Sequence, residues 1–394
     1  MNNTKNLNIN LIFIFSLLLL YPAQYINAQI EVIHVKNTKV EINEGGLFYA
    51  LPVTYLKIDV AVEKTQKIRG PYYEFAEKYL GIKDVIWSNS VNYKIMDIGI
   101  STFCQPDPEN YYYVQLGEKA SKEEKSLLIH LTSSGLIQAI NDQSAGLSSD
   151  DSDKEKKHLN IDYSEYFKYQ ADNNFYEKID TIIRKINIDT ITIERQFYKS
   201  SWLEKSDEQK AKDAADYLEK IRENRFLLIT GYQEVNYGES IEYMDNELKK
   251  LEDEYLSLFT GVTKKGIINY TFTYLPDAQN SEVSEPVFKF SESKGAFDLS
   301  GSIGGNVMIQ IDKIGNTSLV SEFIKNNNIT NIEPIGFYYR LPEYAEITIK
   351  FNNEVIAKST ALISQFGIVT NIPSLDTEMQ FYPETGSIRK VLLK

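Results

Sequence analysis

The chain has 394 residues, enough for two ordinary domains or three small ones, and its 42% hydrophobic and 25% charged residues are typical of a globular protein. Its single cysteine excludes a disulfide framework and a cysteine-rich zinc site. The formal net charge is −13, from 42 basic and 55 acidic residues. This charge argues against broad binding to nucleic acid, because such binding requires a basic surface.

The first 28 residues predict a secretory signal peptide. Lys5 provides a weakly positive start, residues 11–21 (LIFIFSLLLLY) form an apolar run, and Ala28 is small enough to precede the cleavage site. An uncleaved N-terminal anchor is the alternative, although the run is shorter than the roughly 20 apolar residues of a membrane span. No later segment predicts a transmembrane helix. We therefore expect an exported chain, periplasmic or associated with the outer membrane, after cleavage near Ala28.

Residues 29–144 predict a β-rich N-terminal module with one short helix. Apolar and polar residues alternate over residues 56–62, which is the pattern of a strand with one buried face. Pro71 and Gly81 are typical of the first turn and the C-cap of a short helix between them. Residues 127–140 predict a hairpin.

Residues 145–188 predict a charged linker or insertion. The stretch 145–160 (AGLSSDDSDKEKKHLN) has few apolar residues and a dense run of charge. A calcium-binding loop on Asp150, Asp151 and Asp153 is the alternative, but the stretch lacks the glycine and the distal glutamate of an EF-hand. The tyrosine-rich stretch that follows has no clear period.

Residues 189–264 predict a central region with a helical hairpin. Residues 189–197 predict a strand that precedes the helices. Ser206 and Gln209 have the spacing of a capping box at the start of a first helix. Residues 239–260 predict a second helix, whose apolar residues alternate spacings of three and four as in a heptad seam. We expect the two helices to pack as an αα-hairpin; dimerisation through the seam is the alternative.

Residues 265–394 predict a C-terminal β module that ends in a hairpin around 383–386 (PETG). Within it, residues 336–342 (GFYYRLP) repeat the pattern of residues 46–52 (GLFYALP), and an alternating strand follows each stretch. The predicted fold is therefore α+β, with two mainly antiparallel β modules, related by internal duplication, bracketing a long antiparallel αα-hairpin. Chance similarity between two tyrosine-rich strands is the alternative to duplication.

Ordered motifs along nearly the whole chain resemble a known family. They are the stretches 49–52 (YALP), 70–81 (GPYYEFAEKYLG), 106–109 (PDPE), 221–225 (IRENR), 227–231 (LLITG), 258–261 (LFTG), 365–367 (QFG) and 383–386 (PETG). The chain thereby resembles domain of unknown function 4831, a family of exported proteins from Gram-negative bacteria with a Bacteroides-type envelope. The resemblance implies an exported α+β protein, and it implies no activity and no site residue.

The motifs of common catalytic sites do not occur in the sequence. It has no glycine-rich phosphate loop, no HExxH, no GxSxG and no metal-spaced cysteine set. The sequence therefore assigns no catalytic residue and leaves any such residue unknown, and it predicts no cofactor and no metal. The single thiol, Cys104, is predicted to be a small buried hydrophobic residue. His34, His130 and His158 are predicted to be structural or solvated.

Three further groups are weaker candidates. Glu74 and Glu77 share one face of the short helix, as surface carboxylates commonly do. Arg222 and Arg225 are predicted to hold the helical hairpin against the β modules through carboxylates. The tyrosines at 111–113 could stack on sugar rings, although alternate residues of a strand point to opposite faces.

These observations favour a non-enzymatic envelope protein that binds or scaffolds another envelope protein or a second copy of itself. The reasons are the predicted export, the lack of a catalytic motif, and the edge strands and heptad face, which are surfaces that accept partners. A glycan-binding or glycan-hydrolysing envelope protein is the alternative. A periplasmic carrier of a small ligand is a third hypothesis.

Overall fold

The structure of the protein, a computed structural model, is built mostly from strands. It describes residues 30–36, 45–116, 128–142, 167, 169, 174–188, 191–231, 238, 240–279, 283–327, 336–372 and 377–393. Of these residues, 57% lie in strands and 22% in helices. The predicted signal peptide at 1–28 and the charged stretch at 145–160 lie outside the described residues.

The described part of the chain contains fifteen strands and four α-helices. The strands are β1 (Ile30–His34), β2 (Leu47–Ile68), β3 (Ser90–Leu116), β4 (Ile129–Leu131), β5 (Ile137–Ile140), β6 (Phe175–Ile188), β7 (Ile191–Glu204), β8 (Val262–Tyr274), β9 (Glu285–Ser291), β10 (Gly295–Phe297), β11 (Gly305–Lys313), β12 (Phe337–Phe351), β13 (Glu354–Ile372), β14 (Thr377–Tyr382) and β15 (Ser387–Leu393). The helices are α1 (Ala76–Leu80), which follows a 3-10 turn at Tyr73–Phe75, α2 (Asp207–Thr230), α3 (Ser240–Thr260) and α4 (Thr317–Asn326).

Hydrogen bonds join these strands into four sheets. The first has the strand order β1-β3-β2-β8 and the second has the order β10-β9-β11-β12-β13. The third has the order β15-β14-β5-β4, and β6 pairs with β7 in a two-stranded sheet. Every pairing of these strands is antiparallel.

The first two sheets pack face to face around the main core. The alternation predicted over residues 56–62 is confirmed, because Leu56, Ile58, Val60 and Val62 are all fully buried. Side chains of the second sheet, such as Phe288, lie in the same cluster. Each buried aliphatic side chain contributes about 1.5–3 kcal/mol relative to an exposed one, so this packing is a large source of stability.

The third sheet joins two hairpins that lie far apart along the chain. Strand β14 pairs with β5 through Met379↔Ile140 and Gln380↔Ala139. Strands from the predicted N-terminal and C-terminal modules therefore share one sheet. The predicted domain limits, 29–144, 145–188, 189–264 and 265–394, stay predictions.

The two similar heptapeptides, 46–52 and 336–342, contact each other through Tyr49 and Arg340. We call this contact the junction. The Tyr49 hydroxyl accepts a hydrogen bond from the backbone N–H of Tyr338 at 3.0 Å. The Pro52 carbonyl accepts one from Nη1 of Arg340 at 2.7 Å. In both strands the pairing register shifts at the Leu-Pro step, where proline has no N–H to donate. The similar motifs are thus two sides of one contact between sheets.

The predicted α+β fold class is wrong. The described part of the chain is mostly β, and no long antiparallel helical hairpin is evident in it. Helices α2 and α3 instead belong to a smaller side cluster, together with the segment around Tyr72 and Ala76. The capping box of Ser206 and Gln209 is confirmed at the start of α2. Apolar periodicity locates such helices, but it does not show how much of the remaining chain is drawn into sheets by long-range pairing.

Candidate interaction surface

One pair of strands forms a sheet of its own. Strands β6 and β7 pair in continuous antiparallel register, from Phe175↔Glu204 to Ile188↔Ile191. Within the described ranges, no third strand joins either edge of this pair. A two-stranded sheet is at best marginally stable in water, so we expect it to be stabilised by a further contact. We call residues 175–204 the ribbon.

Large apolar side chains are exposed on both faces of the ribbon. Alternation along the strands places five of them on the first face: Phe175, Ile179, Ile183, Tyr198 and Trp202. The second face carries Tyr176, Ile182, Phe197 and Leu203. Trp202 is the extreme case, with 70% of its surface exposed. Contiguous exposed apolar surface of this kind is typical of a site of protein contact.

The two faces of the ribbon differ in charge. The first face carries Glu177, Lys185, Glu194 and Glu204, whereas the second carries Lys178, Asp180, Arg184, Arg195 and Lys199. On the second face, the register places Arg184 directly opposite Arg195. Like charges directly opposite each other destabilise a strand pair. The second face is therefore suited to an acidic neighbour.

The base of the ribbon is tied to helix α2. The backbone N–H of Lys205 donates to the Asn174 carbonyl at 2.8 Å. Nζ of Lys210 lies 2.8 Å from Oε1 of Glu204, and this hydrogen bond lowers the pKa of the Glu204 carboxyl. Helix α2 begins at Asp207, shortly after the end of the ribbon at Glu204, and is capped by Ser206. The ribbon is thus held at its base while its apolar faces are exposed.

A second candidate is a polar cleft of about 530 Å³ beside the start of β3. Its lining includes Lys67, Asp84, Trp87, Ser88 and Thr260. The volume lies within the roughly 300–1,000 Å³ of small-molecule sites. In this lining, hydroxyl groups and the charged side chains of Lys67 and Asp84 surround one large aromatic ring, that of Trp87.

Neighbouring side chains hold the ring of Trp87 in place. The ring of Tyr73 meets it edge-on, with centroids 5.5 Å apart and an interplanar angle of 88°. The guanidinium of Arg69 lies 4.5 Å from the centre of the Tyr73 ring, which is a cation–π distance. Trp87 nevertheless keeps 64% of its surface exposed. This exposed indole can pack against a flat apolar ligand face.

The two described histidines, His34 and His130, lie in different sheets. His34 packs edge-on against Tyr112, with ring centroids 5.1 Å apart. His130 is partly buried on β4. His158 lies outside the described residues, as do the three carboxylates of the calcium alternative, Asp150, Asp151 and Asp153.

The carboxylates of Glu74, in the 3-10 turn, and Glu77, in α1, have separate partners. Glu74 accepts a hydrogen bond from the Tyr73 hydroxyl at 2.6 Å, which raises the pKa of that phenol. An oxygen of Glu77 lies 3.2 Å from Nζ of Lys83. Both carboxylates therefore take part in local surface contacts.

The tyrosine run at 111–113 is not an open platform. Tyr112 is only 2% exposed and stacks on the rings of Tyr49 and Tyr338, with centroids 5.3 and 4.4 Å away. Burial raises the pKa of Tyr112 to about 12. The middle tyrosine thus belongs to the junction between the heptapeptides.

Arg222 and Arg225 connect α2 to α3 rather than to the sheets. Nε of Arg222 lies 2.8 Å from Glu252, and Nε of Arg225 lies 2.7 Å from Asp245. Arg225 also lies 3.2 Å from Glu252 through Nη1. The arginines therefore contact carboxylates, as predicted, but those carboxylates belong to the neighbouring helix.

The described residues hold neither a metal cluster nor a transmembrane helix. They contain no group of three or more His, Cys, Asp or Glu side chains placed to hold a metal ion. None of their helices is long and apolar enough to cross a membrane.

A comparison of the chain with known protein families matches a stretch that includes the ribbon, the cleft and both heptapeptides. One family model matches residues 45–389, nearly the whole chain. The chain belongs to the family described as domain of unknown function DUF4831. The predicted resemblance is thereby confirmed. No curated protein matched the chain, and no solved structure matched it. DUF4831 membership thus supplies no activity, and function must be argued from the ribbon and the cleft.

Sequence reasoning found only half of the ribbon. It predicted a strand at 189–197, which overlaps β7 from Ile191 onward, whereas residues 189 and 190 lie outside the described residues. It found no clear period before that strand, because β6 carries apolar residues on both faces. Two long stretches of high β-propensity separated by two residues were the available signal for a hairpin. Trp87 was not predicted as a site residue, because nothing in its local sequence pattern distinguishes it from a core residue.

Proposed function

We propose that the protein is an exported, non-enzymatic binding protein of the cell envelope, and that it docks a protein partner through the ribbon. The observation that carries the proposal is the exposure of large apolar side chains on both faces of a two-stranded sheet. A partner would cover this surface and pair with its free edges by strand addition. The sequence of residues 1–28 supports export.

The experiment is site-specific photocrosslinking in the cell of origin. Benzoylphenylalanine replaces Tyr176 or Tyr198, one on each strand of the ribbon, and in a matched control it replaces Tyr344 on β12, which is 56% exposed. We expect protein adducts from both ribbon positions and none from the control. Equal adducts from all three positions, or none from the ribbon, would contradict the proposal.

Export is tested separately on the same cells. Fractionation followed by N-terminal sequencing is expected to find the protein in the envelope fraction, beginning at or near Gln29. A cytoplasmic protein that retains Lys5 would contradict export without bearing on the ribbon.

The second candidate function is glycan binding at the cleft around Trp87. An exposed indole can stack on the apolar face of a sugar ring, and the surrounding hydroxyl and charged groups can bond to its hydroxyls. Asp84 is the one carboxylate among the residues lining this cleft. Glycoside hydrolysis commonly uses two carboxylates, so the cleft favours binding over hydrolysis.

Tryptophan fluorescence tests this candidate directly, because the chain has only Trp87 and Trp202. In the Trp202→Phe variant, Trp87 is the single indole reporter. We expect cello-, laminari- or chito-oligosaccharides to change its emission with saturation, and a Trp87→Phe variant to lose binding by calorimetry. Flat titrations with all three sugars would remove the glycan candidate.

A further inference from the structure

The outer edge of β6 is available for strand pairing. Its inner edge is fully paired with β7 over fourteen residues. No strand in the described ranges pairs with the outer edge. A long edge strand presents a row of backbone N–H and C=O groups that can template another strand. The side chains along this edge determine which strand fits.

Charge along β6 is arranged symmetrically around one residue. Asp180 and Arg184 lie two positions before and two positions after Ile182. In an antiparallel pair, a twofold axis at Ile182 would place Asp180 of each chain opposite Arg184 of the other, on the same face. An axis at Thr181 would instead place Lys178 opposite Arg184, which brings two cations together. Moving the axis by one residue shifts the pairing by two residues, so the same side chains stay on the same face and only the charges that oppose each other change.

The ribbon itself has a charge conflict that this pairing relieves. Arg184 lies directly opposite Arg195 across the two strands, which is unfavourable for like charges. The guanidinium of Arg184 lies 5.5 Å from the centre of the Phe197 ring. Asp180 of a second chain would supply a carboxylate on the other side of Arg184.

We propose that two copies of the chain associate through their β6 strands, antiparallel about a twofold axis at Ile182. The result is a four-stranded sheet in the order β7-β6-β6-β7, which passes the size at which a sheet becomes stable on its own. The interface is isologous, as in most homodimers. This inference rests on the proposed docking role of the ribbon and identifies the partner as a second copy.

The first test measures self-association of the purified protein by sedimentation velocity. We expect the Asp180→Arg variant to weaken the dimer about tenfold or more, because it places arginines opposite each other at two symmetric positions. The Arg184→Asp variant should do the same by opposing two aspartates. The double variant D180R/R184D restores both opposite-charge pairs, and we expect its dissociation constant to return to within about threefold of the original.

The second test traps the register with a disulfide. In a Cys104→Ser background, Ile182→Cys places the two thiols opposite each other at the axis, so mild oxidation should link the dimer. Ile179→Cys is the matched control on the same strand. Its copies would be six residues apart along the paired strands, about 20 Å, and should not link.

Three outcomes would overturn the inference. The first is a purified chain that is monomeric at all concentrations. The second is a dimer that the single variants weaken but whose affinity the double variant D180R/R184D does not restore. Efficient linking through position 179 but not 182 would rule out the register. If the purified chain is monomeric while the ribbon photocrosslinks to a different protein, the second-copy inference fails and the proposed binding function stands. If the ribbon crosslinks to nothing, the proposed function itself fails.

Discussion

Arg340 and Asp107 form a buried ion pair where β12 meets the first sheet. Their side chains are only 6% and 9% exposed. Arg340 also donates to the Pro52 carbonyl at 2.7 Å, and Asp107 accepts from the backbone N–H of Glu109 at 2.9 Å. Both charges are thus hydrogen-bonded beyond the pair itself, which is the condition for a buried ion pair to be tolerated. The pair fixes how the two sheets meet.

Removing one partner of this pair should destabilise the fold strongly. We expect Arg340→Met to lower the free energy of unfolding by about 3–5 kcal/mol, because it leaves Asp107 buried without its cation. Urea denaturation followed by circular dichroism measures the change. The double variant R340M/D107L should recover much of the loss, since no charge is then left buried.

A surface pair is the control for the Arg340 experiment. Lys358 lies 3.1 Å from Glu346, with side chains 55% and 40% exposed. Lys358→Met should cost less than about 1 kcal/mol, as exposed pairs do. If Lys358→Met lowered the free energy of unfolding as much as Arg340→Met, the stabilising role assigned to the buried Arg340–Asp107 pair would be contradicted.

The ion pairs between α2 and α3 should make local stability depend on pH. Hydrogen bonds from Arg222 and then Arg225 hold the pKa of Glu252 below its ordinary value, and Arg225 does the same for Asp245. Lowered carboxyl pKa values stabilise the fold above the ordinary carboxyl range, and this contribution is lost as the pH falls through the lowered values.

The expected result is a pH-dependent difference between the wild type and Glu252→Gln. At pH 7 the variant should unfold about 2–4 °C lower, and the difference should shrink steadily on acidification to about pH 3, where carboxylates protonate. Scanning calorimetry across this range measures it. Glu247→Gln, whose carboxylate contacts the exposed Lys250, is the control. A difference that grew on acidification would refute the assigned sign.

Cys104 should be unreactive in the folded protein. Its Sγ lies 3.2 Å from the Pro383 carbonyl, and burial raises the pKa of the thiol to about 11. The neutral thiol therefore predominates at pH 8, and we expect labelling by a disulfide reagent to be about 100-fold slower than for a free cysteine. Labelling should become fast in guanidinium. An exposed thiol, Ser293→Cys in a Cys104→Ser background, provides the reference rate.

Gly367 should not tolerate even a methyl group. A Cβ at this position would lie 1.7 Å from the Leu341 carbonyl oxygen, on the opposing strand β12. We expect Gly367→Ala to destabilise the protein by about 1–3 kcal/mol, as overpacking of a core does. Gly266→Ala on β8 has open space around its Cβ and should change stability by less than about 1 kcal/mol. Thermal denaturation of the two variants provides the comparison.

Local chemistry accounts for the features that sequence reasoning located. The buried alternation over 56–62 follows from strand geometry, and the start of α2 follows from the capping groups of Ser206 and Gln209. Each feature depends on residues within a few positions of one another. The ribbon was only half found, because apolar residues on both faces of β6 hide its alternation.

Long-range pairing decided what the sequence could not. Nothing in the local pattern indicates that β8 completes the first sheet beside β2, or that β14 pairs with β5. Alternation shows which face of a strand is buried but not which strand lies beside it, because hydrophobic burial is non-directional. Composition, family membership and individual elements were therefore set by the sequence alone. The strand order of the sheets, the Arg340–Asp107 ion pair and the exposure of the ribbon depend on contacts between residues far apart in the sequence, so only the tertiary structure decided them.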